Sequence, residues 1–208
     1  MKEKHKLTLI LDLDQTLISG EAYEDLDLKK YKKKDKLFTS NDMEGFYKIY
    51  SRPYLQEFLD YAFSNFNVII WTAATKDYAL FIIEKIIINN KPDRKLDFIL
   101  FSYHCEISKK LKKYSKDLSM LWDVYKLPEY SIKNTVIMDD YIEDVHKNQP
   151  NNCIIAYPFE FTKKNSENDT FLKDVIIELE KMKIRIQKNN PDITNKININ
   201  MNTLKEPN

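Results

Sequence analysis

Three apolar runs in the chain each stop abruptly at a polar residue: Leu7–Leu11 ends in Asp12-Leu13-Asp14, Val68–Trp71 ends in Thr72, and Asn134–Met138 ends in Asp139-Asp140. Continuous runs of this kind, rich in β-favouring residues, predict strands buried on both faces, as in a parallel sheet. Elsewhere the apolar residues recur at helical spacing. Leu55, Phe58, Leu59, Ala62 and Phe63 follow Pro53, which suits a first helical turn. Thr75 is a candidate cap for a second helix with Ala79, Ile82, Ile83 and Ile86 on its apolar face. A third helix is predicted from near Ser115, carrying Leu118, Leu121, Trp122 and Tyr125. A fourth runs from Thr170 to Ile186, with Leu172, Val175, Ile176 and Leu179 on one side. Phe98–Phe101 and Cys153–Ala156 are further strand candidates. Strands separated by helices predict an α/β fold, a Rossmann-like doubly wound parallel sheet with helices on both faces.

Two stretches break this rhythm. Residues 20–46 are polar, charged and poorly periodic, and read as a small insertion or flap after the first strand, with a hairpin near Phe46–Tyr50. Residues 188–208 are rich in Asn, Lys and Pro, and are expected to form a frayed or disordered tail. The expected organisation is one domain over 1–187 followed by that tail.

Composition narrows the function. A chain of 208 residues, 43% hydrophobic, suffices for one domain with a sizeable core. A net charge of +1 gives no global field for a polyanion, so direct nucleic-acid binding is not expected. The charge is uneven, with basic clusters at Lys29–Lys36 and Lys109–Lys116. Each reads as a solvated segment or as a local positive field for a phosphorylated substrate. Cys105 and Cys153 have neither a disulfide nor a metal-ligand spacing, which predicts a reducing, intracellular compartment, cytoplasmic or nuclear. His5, His104 and His146 show no metal spacing either. No run is long enough to span a membrane, and the first strand begins too early to leave room for a signal peptide. With only two glycines there is no Gly-rich phosphate loop.

The strand ends carry the chemistry. Open α/β sheets bind ligands at the carboxyl ends of their strands. Burying carboxylates costs several kcal/mol unless they are paired or bound to a metal, so paired aspartates at strand ends ask for a hard cation such as Mg²⁺. An aspartate beside such a cation can attack phosphorus, and Asp12 is the natural nucleophile. Asp14 can protonate the leaving oxygen and later take a proton from water. Thr72 offers a hydroxyl to a phosphoryl oxygen, and Lys116 a positive charge.

Asp12-Leu13-Asp14-Gln15-Thr16 resembles the Asp-x-Asp-x-Thr signature of the haloacid dehalogenase superfamily. The closer resemblance is to its phosphatases that act on the C-terminal domain of RNA polymerase II, the NLI-interacting-factor-like family. Arg52-Pro53 followed by Glu57-Phe58-Leu59 is similar to that family's Arg-Pro-x-x-x-Glu-Phe-Leu. Trp71-Thr72-Ala73-Ala74 is similar to its Phe-Thr-Ala-Ser, Lys116-Asp117-Leu118 to its lysine motif, and Val136–Asp140 to its final acidic motif. Asp169-Thr170-Phe171-Leu172 resembles the start of its last helix, so the likeness covers residues 7–185 in the family's motif order.

The resemblance implies a Mg²⁺-dependent serine/threonine phosphatase of phosphoproteins, with substrates like the polymerase C-terminal domain. It makes Asp12 the nucleophile and Asp14 the acid and base, with Thr72 and Lys116 holding the phosphate. Mg²⁺ would take the Asp12 carboxylate, the Asp14 backbone carbonyl and the Asp140 side chain, with Asp139 beside it. Arg52 reads as structural. The alternatives are a phosphatase of the same chemistry for a small molecule or a nucleic-acid end, and a non-catalytic phospho-binding module. The short stretch from Thr72 to Phe101 does not supply a cap domain large enough to enclose a small substrate. The chain departs from the family at Gln15, where Glu is usual, and at Ser102, where small members carry Arg. Neither 104–115 nor the 20–46 insertion matches it.

Overall fold

The computed structural model describes residues 5–188. Its elements in chain order are β1 (Thr8–Leu11), β2 (Ile18–Ala22), α1 (Leu28–Asp35), β3 (Ser40–Met43), β4 (Tyr47–Ser51), α2 (Leu55–Asn65) and β5 (Asn67–Trp71). Then follow α3 (Lys76–Ile82), β6 (Leu96–Leu100), α4 (Ser102–Lys112), β7 (Thr135–Asp139), β8 (Cys153–Ile155) and α5 (Phe171–Lys188). Wide helical turns of the π type lie at Ile83–Ile88, Met120–Val124 and Ile142–His146.

Five strands form one parallel sheet in the order β6-β5-β1-β7-β8, so β1 is central. Side chains alternate between the faces of each strand and so feed two cores. Leu9, Leu11, Val68, Ile70, Val136 and Met138 pack with α2, α3 and α5 on one side. Ile10, Ile69, Trp71 and Ile137 pack on the other, with Cys105 of α4 and with Leu118, Met120 and Leu121. The doubly wound sheet expected from the strand pattern is therefore present, and Cys153 is a small core residue.

The helices differ from expectation in three places. Pro53 lies in the turn before α2 rather than in its first turn, and Tyr54 enters the helix with a left-handed φ of 63°. Thr75 occupies the cap position of α3, but its side chain makes no capping bond. No regular helix starts at Ser115. The chain turns at Ser115–Leu118 and then enters the short wide segment Met120–Val124, its leading N–H groups taken up by side chains. The Asp117 N–H donates to Ser108 Oγ at 3.1 Å, the Leu118 N–H to Gln149 Oε1 at 2.9 Å, and the Ser119 N–H to Asp117 Oδ1 at 2.8 Å. The longer, regular helix of this region is α4, one segment earlier.

The insertion folds as an antiparallel sheet in the order β2-β4-β3, with α1 on the connection from β2 to β3. The hairpin expected near Phe46–Tyr50 is β3–β4, turning through Gly45 at φ 76°. Asp27 caps α1 by accepting from the N–H groups of Lys29 and Lys30. Tyr50 of β4 stacks on Phe161 with ring centroids 3.7 Å apart, and Phe38 meets Phe161 edge-on at 5.4 Å. The insertion is thus fastened to the body by packed rings. The expected tail beyond Lys188 lies outside the described residues.

Arg52 ties these parts together and is itself buried. Its Nη2 donates to Asp169 Oδ2 at 2.8 Å and its Nη1 to the Thr16 carbonyl at 2.9 Å, while its guanidinium lies 4.3 Å from the centre of the Phe171 ring. Removing one partner of a buried ion pair strands the other charge. Arg52→Met is expected to cost about 3–5 kcal/mol, measured by urea unfolding. Asp169→Asn, which keeps an acceptor, is expected to cost less.

Candidate active site

Strand register alone brings the candidate residues to one edge. Leu11 of β1 stands opposite Ile70 of β5 and Met138 of β7. The next residues along the chain, Asp12, Trp71-Thr72 and Asp139-Asp140, therefore emerge side by side. The Asp12 N–H donates to the Met138 carbonyl at 3.0 Å, and the Thr72 N–H to the Leu100 carbonyl at 2.9 Å, which pins both to the sheet. Beyond Asp12 the chain turns tightly. The N–H groups of Leu17 and Ile18 both reach the Leu13 carbonyl, and Gln15 takes a left-handed φ of 57°. A non-glycine residue there is strained, and the strain places Asp14 and Thr16 beside the strand ends.

Asp12, Asp14, Thr72, Lys116, Asp139 and Asp140 all line one cleft of about 450 Å³. Lys116 is buried, and its Nζ lies 2.6 Å from both Asp12 Oδ1 and Asp139 Oδ2. It sits in the turn that leads into the segment Met120–Val124, engaged by two carboxylates. Burial alone would lower its pKa, but Asp12 and Asp139 outweigh that effect and hold it raised. Burial holds the Asp12 carboxyl well above the usual carboxylate range, opposed by Lys116 and reinforced by Asp139 and Asp140. Asp140 is raised by burial and by Asp139, and it accepts a hydrogen bond from the Thr16 hydroxyl at 3.2 Å. Asp139 Oδ1 accepts from the Tyr141 N–H at 2.9 Å. Thr72 Oγ1 accepts from the Ala74 N–H at 3.0 Å, which leaves its own proton to donate.

Asp12, Asp139 and Asp140 each place a carboxylate oxygen within 4.8 Å of the others. Three carboxylates against one ammonium leave a surplus of negative charge in a buried site. Hard oxygen donors this close together fit a divalent cation, which would offset that charge. The Asp14 carboxyl stands apart from the cluster. Its Oδ1 accepts from the Tyr78 hydroxyl at 2.7 Å, and burial raises its pKa against that bond.

Several participants are not among the residues expected from sequence. Tyr78 stands one turn before Ile82 at the edge of the α3 stripe and packs against the core, so its spacing marks it as a core residue and not as part of the site. Ser102, Glu106 and Lys109 of α4 line the cleft. Lys109 belongs to the basic cluster noted in the sequence, and only this helix carries it to the rim. Tyr141, directly after the acidic pair, is also on the rim and is exposed.

Residues 7–193 match the family described as NLI interacting factor-like phosphatase. The chain is 48% identical over 175 residues to the CTD phosphatase-like protein 355R of Invertebrate iridescent virus 6, covering 81% of this chain and 96% of that protein. It is 44% identical over 192 residues to the protein of the same name in Invertebrate iridescent virus 3, covering 88% of this chain and 100% of the relative. Among solved structures it is similar in fold to the fission yeast RNA polymerase II CTD phosphatase Fcp1 bound to beryllium fluoride. That likeness has a TM-score of 0.52 at 19% identity and covers 88% of this chain and 56% of the other. Among the described residues no helix is long and apolar enough to cross a membrane. With the match running from β1 past α5, the chain belongs to the NLI interacting factor-like phosphatase family.

Proposed function

We propose that the protein is a Mg²⁺-dependent phosphatase of phosphoserine and phosphothreonine in proteins, working through an aspartyl-phosphate on Asp12. The observation that carries this reading is the bridge of Lys116 between Asp12 and Asp139, with Asp14 held separately on Tyr78. That arrangement supports Asp12 as the attacking carboxylate and Asp14, outside the cluster, as the group that moves protons.

In the first half-reaction an Asp12 carboxylate oxygen attacks phosphorus in line, and the bond from phosphorus to the seryl or threonyl oxygen breaks. Asp14 gives its proton to that leaving oxygen. The Lys116 ammonium and the Thr72 hydroxyl donate to the phosphoryl oxygens as their charge redistributes. In the second half-reaction Asp14 takes a proton from water, and the water oxygen attacks the same phosphorus. The acyl-phosphate bond breaks, Asp12 is restored and inorganic phosphate leaves. Asp12, the Asp14 carbonyl and Asp140, with Asp139 beside them, are the residues that would hold Mg²⁺. When bound, it supplies charge neutralisation between the nucleophile and the phosphoryl oxygens.

Substrates resembling the repetitive polymerase C-terminal domain are the first candidates, on the names of the relatives. The short chain between Thr72 and β6, which provides no cap over the cleft, supports a protein substrate over a small molecule.

A phosphoseryl peptide is expected to be hydrolysed with Mg²⁺ and not with EDTA. Mg²⁺ is also expected to raise the melting temperature, and Asp140→Asn to diminish that rise. A folded wild type that releases no phosphate from peptide or from p-nitrophenyl phosphate in Mg²⁺ would overturn the reading.

A further inference from the structure

Only two glycines occur in the whole chain, and they do different things. Gly45 turns a hairpin at positive φ, with open space where a Cβ would be. Gly20 lies inside strand β2, where glycine weakens pairing and gives up a side chain. Its φ is not in the left-handed region, so the backbone does not require it. The space beside it does. A Cβ at Gly20 would lie 2.0 Å from the Tyr78 hydroxyl oxygen, 3.2 Å from its Cζ and 3.4 Å from Asp14 Oδ1. Tyr47 of β4 closes the slot by meeting the Tyr78 ring edge-on at 5.3 Å. Three elements thus converge to place one phenol hydroxyl 2.7 Å from one carboxylate oxygen.

We propose that Tyr78 is a positioning residue for Asp14, and that Gly20 exists in β2 to admit its hydroxyl. The proposal rests on the reading of Asp14 as the acid and base of a phosphatase. Tyr78 donates to Oδ1 and leaves Oδ2 to carry the proton. In the first half-reaction Oδ2–H gives that proton to the leaving oxygen. In the second Oδ2 accepts one from water. Oδ1 is an acceptor in both protonation states, so a single hydrogen bond fixes the carboxyl plane throughout. The Tyr78 O–H bond itself is never broken.

The test uses leaving groups of different need. A seryl alkoxide is a poor leaving group and depends on the proton from Asp14, whereas p-nitrophenolate leaves largely without help. Tyr78→Phe is expected to lower kcat on a phosphoseryl peptide by about 10–100-fold, with KM changed little. On p-nitrophenyl phosphate the same variant is expected to lose far less. Gly20→Ala retains the hydroxyl but displaces it, and is expected to give the same split. Added to Tyr78→Phe, it is expected to cost little more, because the hydroxyl it displaces is already gone.

Equal losses on both substrates would reduce Tyr78 to a structural role and overturn the proposal. Additive losses in the double variant would overturn the assignment of Gly20. If Gly20→Ala fails to fold, the two-substrate comparison for Tyr78→Phe decides alone. A wild type inert toward both substrates would instead sink the phosphatase reading, and this proposal with it.

Discussion

Asp12→Asn is expected to abolish turnover, by about 10⁴-fold or more, in a protein that remains folded. The side-chain amide has almost the shape of the carboxyl, and its oxygen can still accept from the Lys116 ammonium 2.6 Å away. It is too weak a nucleophile to take up a phosphoryl group. The substitution also removes one charge from a cluster in which burial already disfavours charge, so stability at neutral pH is expected to hold or rise. Phosphate release from p-nitrophenyl phosphate with Mg²⁺, read beside a melting curve, separates the two effects. Residual activity above about one part in a hundred would point to a different nucleophile, since removing a true one costs several orders of magnitude. Trapping of a wild-type acyl phosphate by hydroxylamine, absent in the variant, completes the test.

Lys116→Met addresses the same cluster from the other side. Lys116 is the common partner of Asp12 and Asp139. Without it the two buried carboxylates face each other and Asp140 with no ammonium between them. Breaking such an arrangement by removing one partner costs about 3–5 kcal/mol, and that loss is expected in urea unfolding with EDTA present. A cation held by the same carboxylates should recover part of it. Mg²⁺ is therefore expected to stabilise Lys116→Met more than the wild type. Equal stabilisation of the two would show that the cation and Lys116 do not share these carboxylates. Activity is expected to fall by about 10²–10³-fold, the usual cost of losing one preorganised donor to a developing charge.

The parts of the site that were legible in the sequence are those placed by strands. Asp12, Thr72, Asp139 and Asp140 stand at the ends of runs whose burial on both faces leaves an unmistakable apolar signature. Register then has little freedom, because a slip would unseat every side chain of a fully buried strand. Lys116 is expected from the need for a positive charge and from the resemblance, not from any periodic pattern. The turn that holds it is built from side-chain hydrogen bonds to Ser108, Gln149 and Asp144, which leave no periodic trace. The helix expected from near Ser115 is reduced to the short wide segment Met120–Val124. Leu118 and Leu121 do point into the core, but from a loop and a single wide turn.

Two helices, α1 and α4, are not expected from the sequence, because α1 is almost wholly charged and the apolar positions Tyr103, Ile107 and Leu111 of α4 run into a lysine-rich stretch. In α1 no residue is buried, and in α4 the buried positions are Cys105 and Ser108. Tyr78 and the pairing of Arg52 with Asp169 were illegible for another reason. Each is a contact between residues far apart in the chain, across 64 and 117 positions respectively. No local pattern encodes such a partner.

The fastening of the insertion also bears on traffic through the cleft. With Tyr50 stacked on Phe161 and Arg52 bonded to the turn after β1, the wall beside Asp14 is held by contacts on two sides. A site bounded by fixed walls cannot sort its substrates by shutting around them. In a phosphoprotein phosphatase of the kind proposed above, selection is then made on arrival, by the fit of a whole polypeptide segment against the rim. A phosphorylated loop on a large folded protein can then enter as readily as a short free peptide, and departure of product needs no gate to open.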